Sequence, residues 1–300
     1  TGIEEKMGIH GSPTCALAFG ENDGCIGYLI GEEQQGLELM FRMMNWARVG
    51  VGVQSMALGA AAYQSALAYA AERVQGVDTK EFRNPDAPRV TINQHPDVRR
   101  MLATMKAYVE GSRSLLMHTA WCLDVANHSG DDVLATKYGT RVELLTPVCK
   151  AWSSDVACEV TNLALQTYGG HGYLRDYPVE QLVRDARIAP IYEGTNGVQA
   201  LDLLGRKVGR QQGAMFMELM SDLGSFFDQH KEHPELADSI KMAVARKAQL
   251  EQTTMNFGMA QMTGDIDFPL LHATPYLRMF GNVVVAWLLL EQATIAHDAL

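Results

Sequence analysis

The sequence predicts an all-α fold preceded by a short β segment. Two observations carry that expectation. From residue 32 onward, apolar residues recur with a helical period in long stretches, broken by clusters of glycine and proline. Residues 1–30 are instead glycine-rich and of short period. The chain has 300 residues, 47% hydrophobic and 20% charged, which suits a globular protein of one large or two ordinary domains.

Taken in order, residues 15–19 (CALAF) and 25–31 (CIGYLIG) are expected to be strands around a turn at residues 21–23. Two strands alone make no stable sheet, so they are expected to be the edge of a larger β domain. A long helix follows to about Arg73, with Met40, Met43, Met44, Ala47 and Val51 at helical spacing. Gly50, Gly52 and Gly59 lower its helix propensity and are expected to permit close helix packing. A polar loop with Pro85, Pro88 and Pro96 leads to a helix capped by Asp97 and reaching about Asn127. The next helix starts after residues 129–131 and runs to about Tyr168, with a kink expected at Pro147. GGHGY, residues 169–173, ends it. Shorter helices are expected at 179–184 and 198–210, then longer ones near 213–230, 235–263 and 274–299. The expected organisation is a β remnant over 1–30, a helical bundle over 31–210 and an additional helical segment over 211–300.

The formal net charge of -10 argues against nucleic-acid binding, because an acidic surface repels phosphate backbones. The five cysteines form no CxxC pair and read as reduced, buried thiols. The longest apolar run, residues 283–290, falls short of the ~20 residues a bilayer-spanning helix needs, so no membrane span is expected. The opening TGIEEKMG has neither an apolar stretch nor an initiating Met. The expectation is a cytoplasmic protein whose chain is cut from a longer one. No GxxxxGK[ST], HExxH or GxSxG motif occurs, and GGHGYLR does not complete a GxGxxG. His230 and His233 share an HxxH spacing, but Lys231, Glu232 and Pro234 around them read as a solvated turn, and no metal is expected.

Chemistry concentrates in QTYGGHGYLRDYPVEQLVRDARIAPIYEGTNGVQALDLLGRK, residues 166–207. A helix there ends at a Gly-Gly pair, and glycine lets backbone approach a ligand closely. Glu193 stands beside Gly194 after the apolar residues 188–192. A carboxylate in apolar surroundings is either paired or more basic than usual, and a more basic carboxylate suits a general base. From spacing alone, Glu193 reads at least as well as the cap of a helix beginning at Thr195 or as the partner of Arg187.

That stretch resembles the C-terminal signature of the acyl-CoA dehydrogenase family: a QxxGGxGY break, a short RD-containing helix, then IYEGT. The likeness extends upstream. Residues 6–37, KMGIHGSPTCALAF with GYLIGEEQQGL, resemble the end of the family's middle β domain. Residues 44–76 resemble its first C-terminal helix, and residues 211–300 resemble the extra helical segment of a larger, mainly bacterial branch. The resemblance implies an acyl-CoA dehydrogenase-type C-terminal helical bundle that works with FAD on an acyl-CoA thioester. By the same resemblance, Glu193 takes the α-proton while the β-hydrogen leaves as hydride to flavin, giving the trans-2-enoyl-CoA. The Glu193 N–H and a ribityl hydroxyl of FAD would stabilise the enolate. Arg73 matches an arginine on the FAD pyrophosphate of a neighbouring subunit. Gln166, Gly169 and Gly170 match positions at the FAD adenosine region across that interface. Thr195 matches a residue beside the FAD phosphates, and Arg48 one near the acyl-CoA pocket and the glutamate. An electron-transfer flavoprotein is the implied acceptor, and a homodimer or homotetramer the implied assembly.

There are departures from the family pattern. Arg73-Val74-Gln75-Gly76 lacks the aromatic of the usual RxxFG, and Gly197 stands where glutamine is common. Ala47 occupies the place where some relatives carry their base. The family's N-terminal helical domain and most of its β domain are not in this sequence, so the chain alone is expected to bind FAD weakly and to be inactive. Rival readings are a DNA-associated alkylation-response flavoprotein of the same fold and an acyl-CoA oxidase. The first needs a basic face, whereas Glu218, Asp222, Asp228, Glu232 and Glu235 make the last segment acidic. The second depends on oxygen access to the flavin.

Overall fold

Three long helices build the frame: α1 (Gly36–Glu72), α2 (Pro96–His128) and α3 (Asp132–Tyr168). The computed structural model describes residues 2–299, with Arg42 through its backbone alone. Thr1 and Leu300, the outer ends of the expected β and additional helical segments, lie outside the described residues. α3 packs along both α1 and α2. Ala62, Ala66 and Ala70 recur every fourth residue, so they share one face of α1. That face is buried against Met101, Met105 and Val109 of α2 and Val160 of α3. Small side chains there let the helix axes come close. Of the three α1 glycines, Gly52 is the one packing demands: a Cβ there would lie 2.7 Å from the Cys149 carbonyl oxygen of α3. A Cβ at Gly59 would meet only ordinary contacts, and one at Gly50 would meet nothing within 4 Å.

A second core continues from α2 and α3 into the C-terminal helices α6 (Ala214–His230), α7 (Ala237–Met262) and α9 (Ala273–Asp298). Between them run the shorter α4 (Val179–Ala186), α5 (Asn196–Asp202) and α8 (Asp267–Leu271). Leu115 and Leu145 of the frame share this core with Leu219, Phe227, Leu250, Phe280 and Leu288. Polar links fix the seam. Trp152 Nε1 donates to Asn282 Oδ1 at 2.8 Å, and Arg278 pairs with Glu159 at 2.8 Å. Asp222 of α6 meets Arg141 at 2.6 Å and Lys137 at 3.0 Å on α3. By length and composition α9 is apolar enough to cross a membrane, further than the run at 283–290 indicates. Here Tyr276, Leu277, Val284 and Leu288 face the shared core.

The structure corrects several expectations. β1 (Gly2–Ile3) pairs antiparallel with β2 (Cys15–Ala16), and residues 25–31 form no strand. Every residue from 11 to 38 is exposed, so the alternating pattern there has no packed face to stand on. The polar loop after α1 holds a hairpin, β3 (Val74–Val77) with β4 (Arg89–Thr91). His95, not Asp97, is the N-cap of α2. Pro96 takes the first helical position, where a missing N–H leaves nothing unsatisfied. The helix expected at 198–210 is α5 followed by a π-helical turn, Leu203–Lys207. α3 runs on through Pro147. The carbonyl four residues earlier, that of Glu143, loses its helical donor and accepts from Lys207 Nζ instead.

Candidate active site

The loop between α4 and α5 is a sequence of tight turns. Ile191 N donates to Ile188 O at 2.8 Å and Tyr192 N to the same oxygen at 3.1 Å. Glu193 at φ +55° and Gly194 at φ +86° then reverse the chain through two left-handed residues. Asn196 N donates to Pro190 O at 3.0 Å, which closes the loop. Glycine takes such a conformation freely, whereas a glutamate held there stores about 1 kcal/mol or more of strain. A side chain at Gly194 is excluded twice over, because its Cβ would also lie 2.6 Å from Gln199 Nε2.

The Glu193 side chain is half-buried. Among the described residues its carboxylate forms no hydrogen bond or ion pair, and its backbone N–H finds no acceptor. The two structural readings left open by the sequence are therefore not realised. Thr195 supplies its own cap, accepting from Val198 N at 3.3 Å, and Arg187 forms no ion pair with Glu193 among the described residues.

Behind this loop lies a polar network that spacing alone does not reveal. Lys150 of α3 is fully buried, and its Nζ donates to Asn196 Oδ1 at 2.8 Å. Asn196 Nδ2 donates to Asp155 Oδ1 at 2.7 Å and Ser154 Oγ at 2.9 Å. Burial pushes Lys150 down to about 8, with Asp155 opposing, Arg48 reinforcing and Glu193 opposing that shift. Burial raises Asp155 above the ordinary aspartate range despite its hydrogen bond from Asn196. Tyr192 Oη donates to Gln54 of α1. Arg48 is buried beside the loop: a Cβ at Gly194 would lie 3.9 Å from its Nη2. Asp202 at 3.7 Å and Asn45 at 3.5 Å hold its Nη1, while its Nε is buried without a hydrogen-bond partner among the described residues. Lys150 stands out in the sequence only as a lone charge within the apolar residues 144–152.

The other residues singled out from the sequence meet elsewhere. Arg73, Gln166, Gly169 and Gly170 line one polar pocket of about 640 Å³, with His95 and His171. Tyr69 and Tyr168 stack at 4.0 Å on its floor, and Tyr69 Oη is 2.9 Å from His171 Nδ1. Gly169, at φ +59°, caps α3, and a Cβ at Gly169 or Gly170 would meet nothing within 4 Å. Thus Glu193, Thr195 and Arg48 gather beside the first half of α1, where the loop meets Arg48 and Gln54, and Arg73, Gln166, Gly169 and Gly170 gather at its C-terminal end. The 25 residues from Arg48 to Arg73 correspond to roughly 37 Å of helix.

A helical frame of this kind, with an IYEGT loop beside the first half of its first helix and a GGHGY break at that helix's C-terminal end, has a family. The chain belongs to the acyl-CoA dehydrogenase family. Residues 34–208 match the domain described as "Acyl-CoA dehydrogenase, C-terminal domain", and residues 216–300 match "Acetyl-CoA dehydrogenase C-terminal like". The chain is 38% identical to the broad-specificity linear acyl-CoA dehydrogenase FadE5 of Mycobacterium tuberculosis, covering 100% of this chain and 50% of that one. It is 37% identical to 3-methylmercaptopropionyl-CoA dehydrogenase of Ruegeria pomeroyi, covering 99% and 50%. In fold it is similar to Caenorhabditis elegans ACDH-11 in complex with C11-CoA, with TM-score 0.77, 24% identity, and coverage of 95% of this chain and 46% of that one. The chain spans about half the length of the curated relatives it matches.

Proposed function

We propose that this protein is an FAD-dependent acyl-CoA dehydrogenase in which Glu193 removes the α-proton of an acyl-CoA thioester. The observation that carries this reading is the state of Glu193: a left-handed backbone, a half-buried carboxylate without a partner and a backbone N–H without an acceptor among the described residues. Backbone strain persists where the surroundings over-determine it, and it gathers at functional sites. An unpaired carboxylate is available to take a proton. The adjacent N–H is available to the thioester oxygen, which gains negative charge as that proton leaves. Arg48, anchored by Asp202 and Asn45, holds a fixed positive charge beside the same loop and is assigned to the acyl-CoA side. Bound flavin would accept the β-hydrogen as hydride, and the product is the trans-2-enoyl-CoA. Relatives named for linear and methylmercapto acyl-CoA substrates support the substrate class.

The pocket at the far end of α1 fits part of a dinucleotide. A guanidinium, an amide and two glycines with open space at Cβ suit a pyrophosphate and its adenosine. Roughly 37 Å of helix from Arg48 to Arg73 is more than one dinucleotide bridges, so the two residue groups are assigned to two FAD molecules. Thr195 belongs to one of them; Arg73, Gln166, Gly169 and Gly170 belong to that of a second subunit. Such sharing requires at least a homodimer, and an electron-transfer flavoprotein is the proposed acceptor.

The test is Glu193→Gln in the protein at the full length of its relatives. Turnover of an acyl-CoA with a dye acceptor is expected to fall on the order of 10²-fold or more, with FAD content unchanged. Unchanged turnover refutes the assignment.

A further inference from the structure

Lys150 has no role in the chemistry assigned above, yet its burial needs a reason. It lies at 0% exposure between Cys149 and Ala151, in a stretch of α3 that is buried without interruption from residue 144 to 154. An ammonium in such a place is expensive unless it is paired, and Lys150 forms no ion pair within 4 Å among the described residues. A methionine would fill that volume without the penalty. Lys150 instead makes one direct contact of consequence, donating to Asn196 Oδ1 at 2.8 Å.

Asn196 is the residue that closes the Glu193 loop. Its backbone N–H donates to Pro190 O at 3.0 Å, and residues 191–195 are the span so enclosed. Its amide group is held to α3 by Ala151 O at 3.1 Å, Ser154 Oγ at 2.9 Å and Asp155 Oδ1 at 2.7 Å. With those donors used, Asn196 Oδ1 faces Lys150 Nζ and, at 3.2 Å, Ser154 Oγ. The amide therefore has one orientation, set by a cation on its oxygen and a carboxylate on its nitrogen.

We propose that Lys150 is a positioning residue: through Asn196 it locks the 190–196 loop onto α3 and so holds Glu193 in its left-handed conformation. The proposal rests on the reading of Glu193 as the base. Asp155 and Glu193 attract the Lys150 ammonium and Arg48 repels it, so the tie to the loop is the hydrogen bond to Asn196. A loop held this way keeps a strained residue in place without a contact to the strained side chain itself, which leaves the carboxylate unencumbered.

The experiment compares Lys150→Met, Lys150→Gln and Asn196→Ala in the flavin-loaded, full-length protein. Glutamine keeps a donor for Asn196 Oδ1, whereas methionine does not. Amide hydrogen exchange over residues 188–198 is expected to quicken about tenfold or more in Lys150→Met, with α1 and α2 unaffected. In the same variant kcat is expected to fall about tenfold or more while KM stays within about threefold. Lys150→Gln is expected to restore both readouts. The double variant Lys150→Met/Asn196→Ala is expected to be no worse than Asn196→Ala alone, because both act through one contact. Exchange that rises evenly along α3, additive losses in the double variant, or a Lys150→Gln no better than Lys150→Met each overturn the proposal. Should Lys150→Met fail to fold, a well-folded Lys150→Gln with about a tenfold loss of kcat overturns it as well. Full turnover in Glu193→Gln sinks the base assignment instead, and loop exchange, which needs no turnover, separates the two failures.

Discussion

Gly194 tolerates no side chain, for reasons of both backbone and space. At φ +86°, with Gln199 Nε2 2.6 Å from any added Cβ, Gly194→Ala is expected to destabilise the chain by about 1–2 kcal/mol, read as a lowered urea midpoint. His118 makes a different demand, because it is half-buried near Trp287 and Trp121 with ring centroids at 5.2 and 5.9 Å. Burial, then the charge of Arg141, hold it down from 6.5 to about 4. Between those values the unfolded chain takes up a proton that the folded chain refuses, so stability is lost as pH falls from 6.5 towards 4. Above 6.5 both states are neutral at this site and the effect vanishes. His118→Leu is therefore expected to flatten the decline of Tm across that window, and a decline as steep as the parent's excludes His118 as its source.

At the scale of elements, Pro147 and Lys207 form a coupled pair. The proline strips the Glu143 carbonyl of its helical donor, and a lysine from the π-helical turn supplies another. Lys207→Met is expected to lower stability by about 1–3 kcal/mol, since it strands that carbonyl. Thermal unfolding should show a smaller loss in a Pro147→Ala background, where the helix can satisfy the carbonyl itself. The proline was visible in the sequence, but its compensating donor was not, because the two lie on different elements brought together only by packing. The same contrast runs through the rest of the chain. Apolar spacing suffices for α1, α2 and α3, and the GGHGY and IYEGT segments point to the two groups of residues that gather along α1. The role of Lys150 is not legible in the sequence, because a lone lysine among apolar helix residues does not reveal which partner its ammonium meets. The β3–β4 hairpin escaped because prolines and polar residues between α1 and α2 read as a loop. Residues 25–31 misled in the opposite sense: their β-like alternation meets no packed face.

For the whole molecule, the separation of the two residue groups gives the proposed sharing of FAD between subunits a direct test. If Glu193 serves one FAD and Arg73 serves that of a partner, defects in different chains should complement. A hybrid dimer of a Glu193→Gln subunit and an Arg73→Ala subunit has one site carrying both defects and one carrying neither. Its turnover is expected to be about half that of the parent dimer, whereas each variant alone is poor. No recovery in the hybrid would mean that each site takes both residues from one subunit.

α1 is also a timing element. Along a continuous helix each residue turns the chain by about 100° and advances it by about 1.5 Å. Arg48 and Arg73 are thus locked in rotational phase as well as in distance, and Gly52, wedged against the Cys149 carbonyl, keeps the shaft from slipping along α3. One inserted residue between them would swing one end nearly a third of a turn away from its site while leaving both sites intact. Length variation in this family should therefore be tolerated almost anywhere sooner than in this helix.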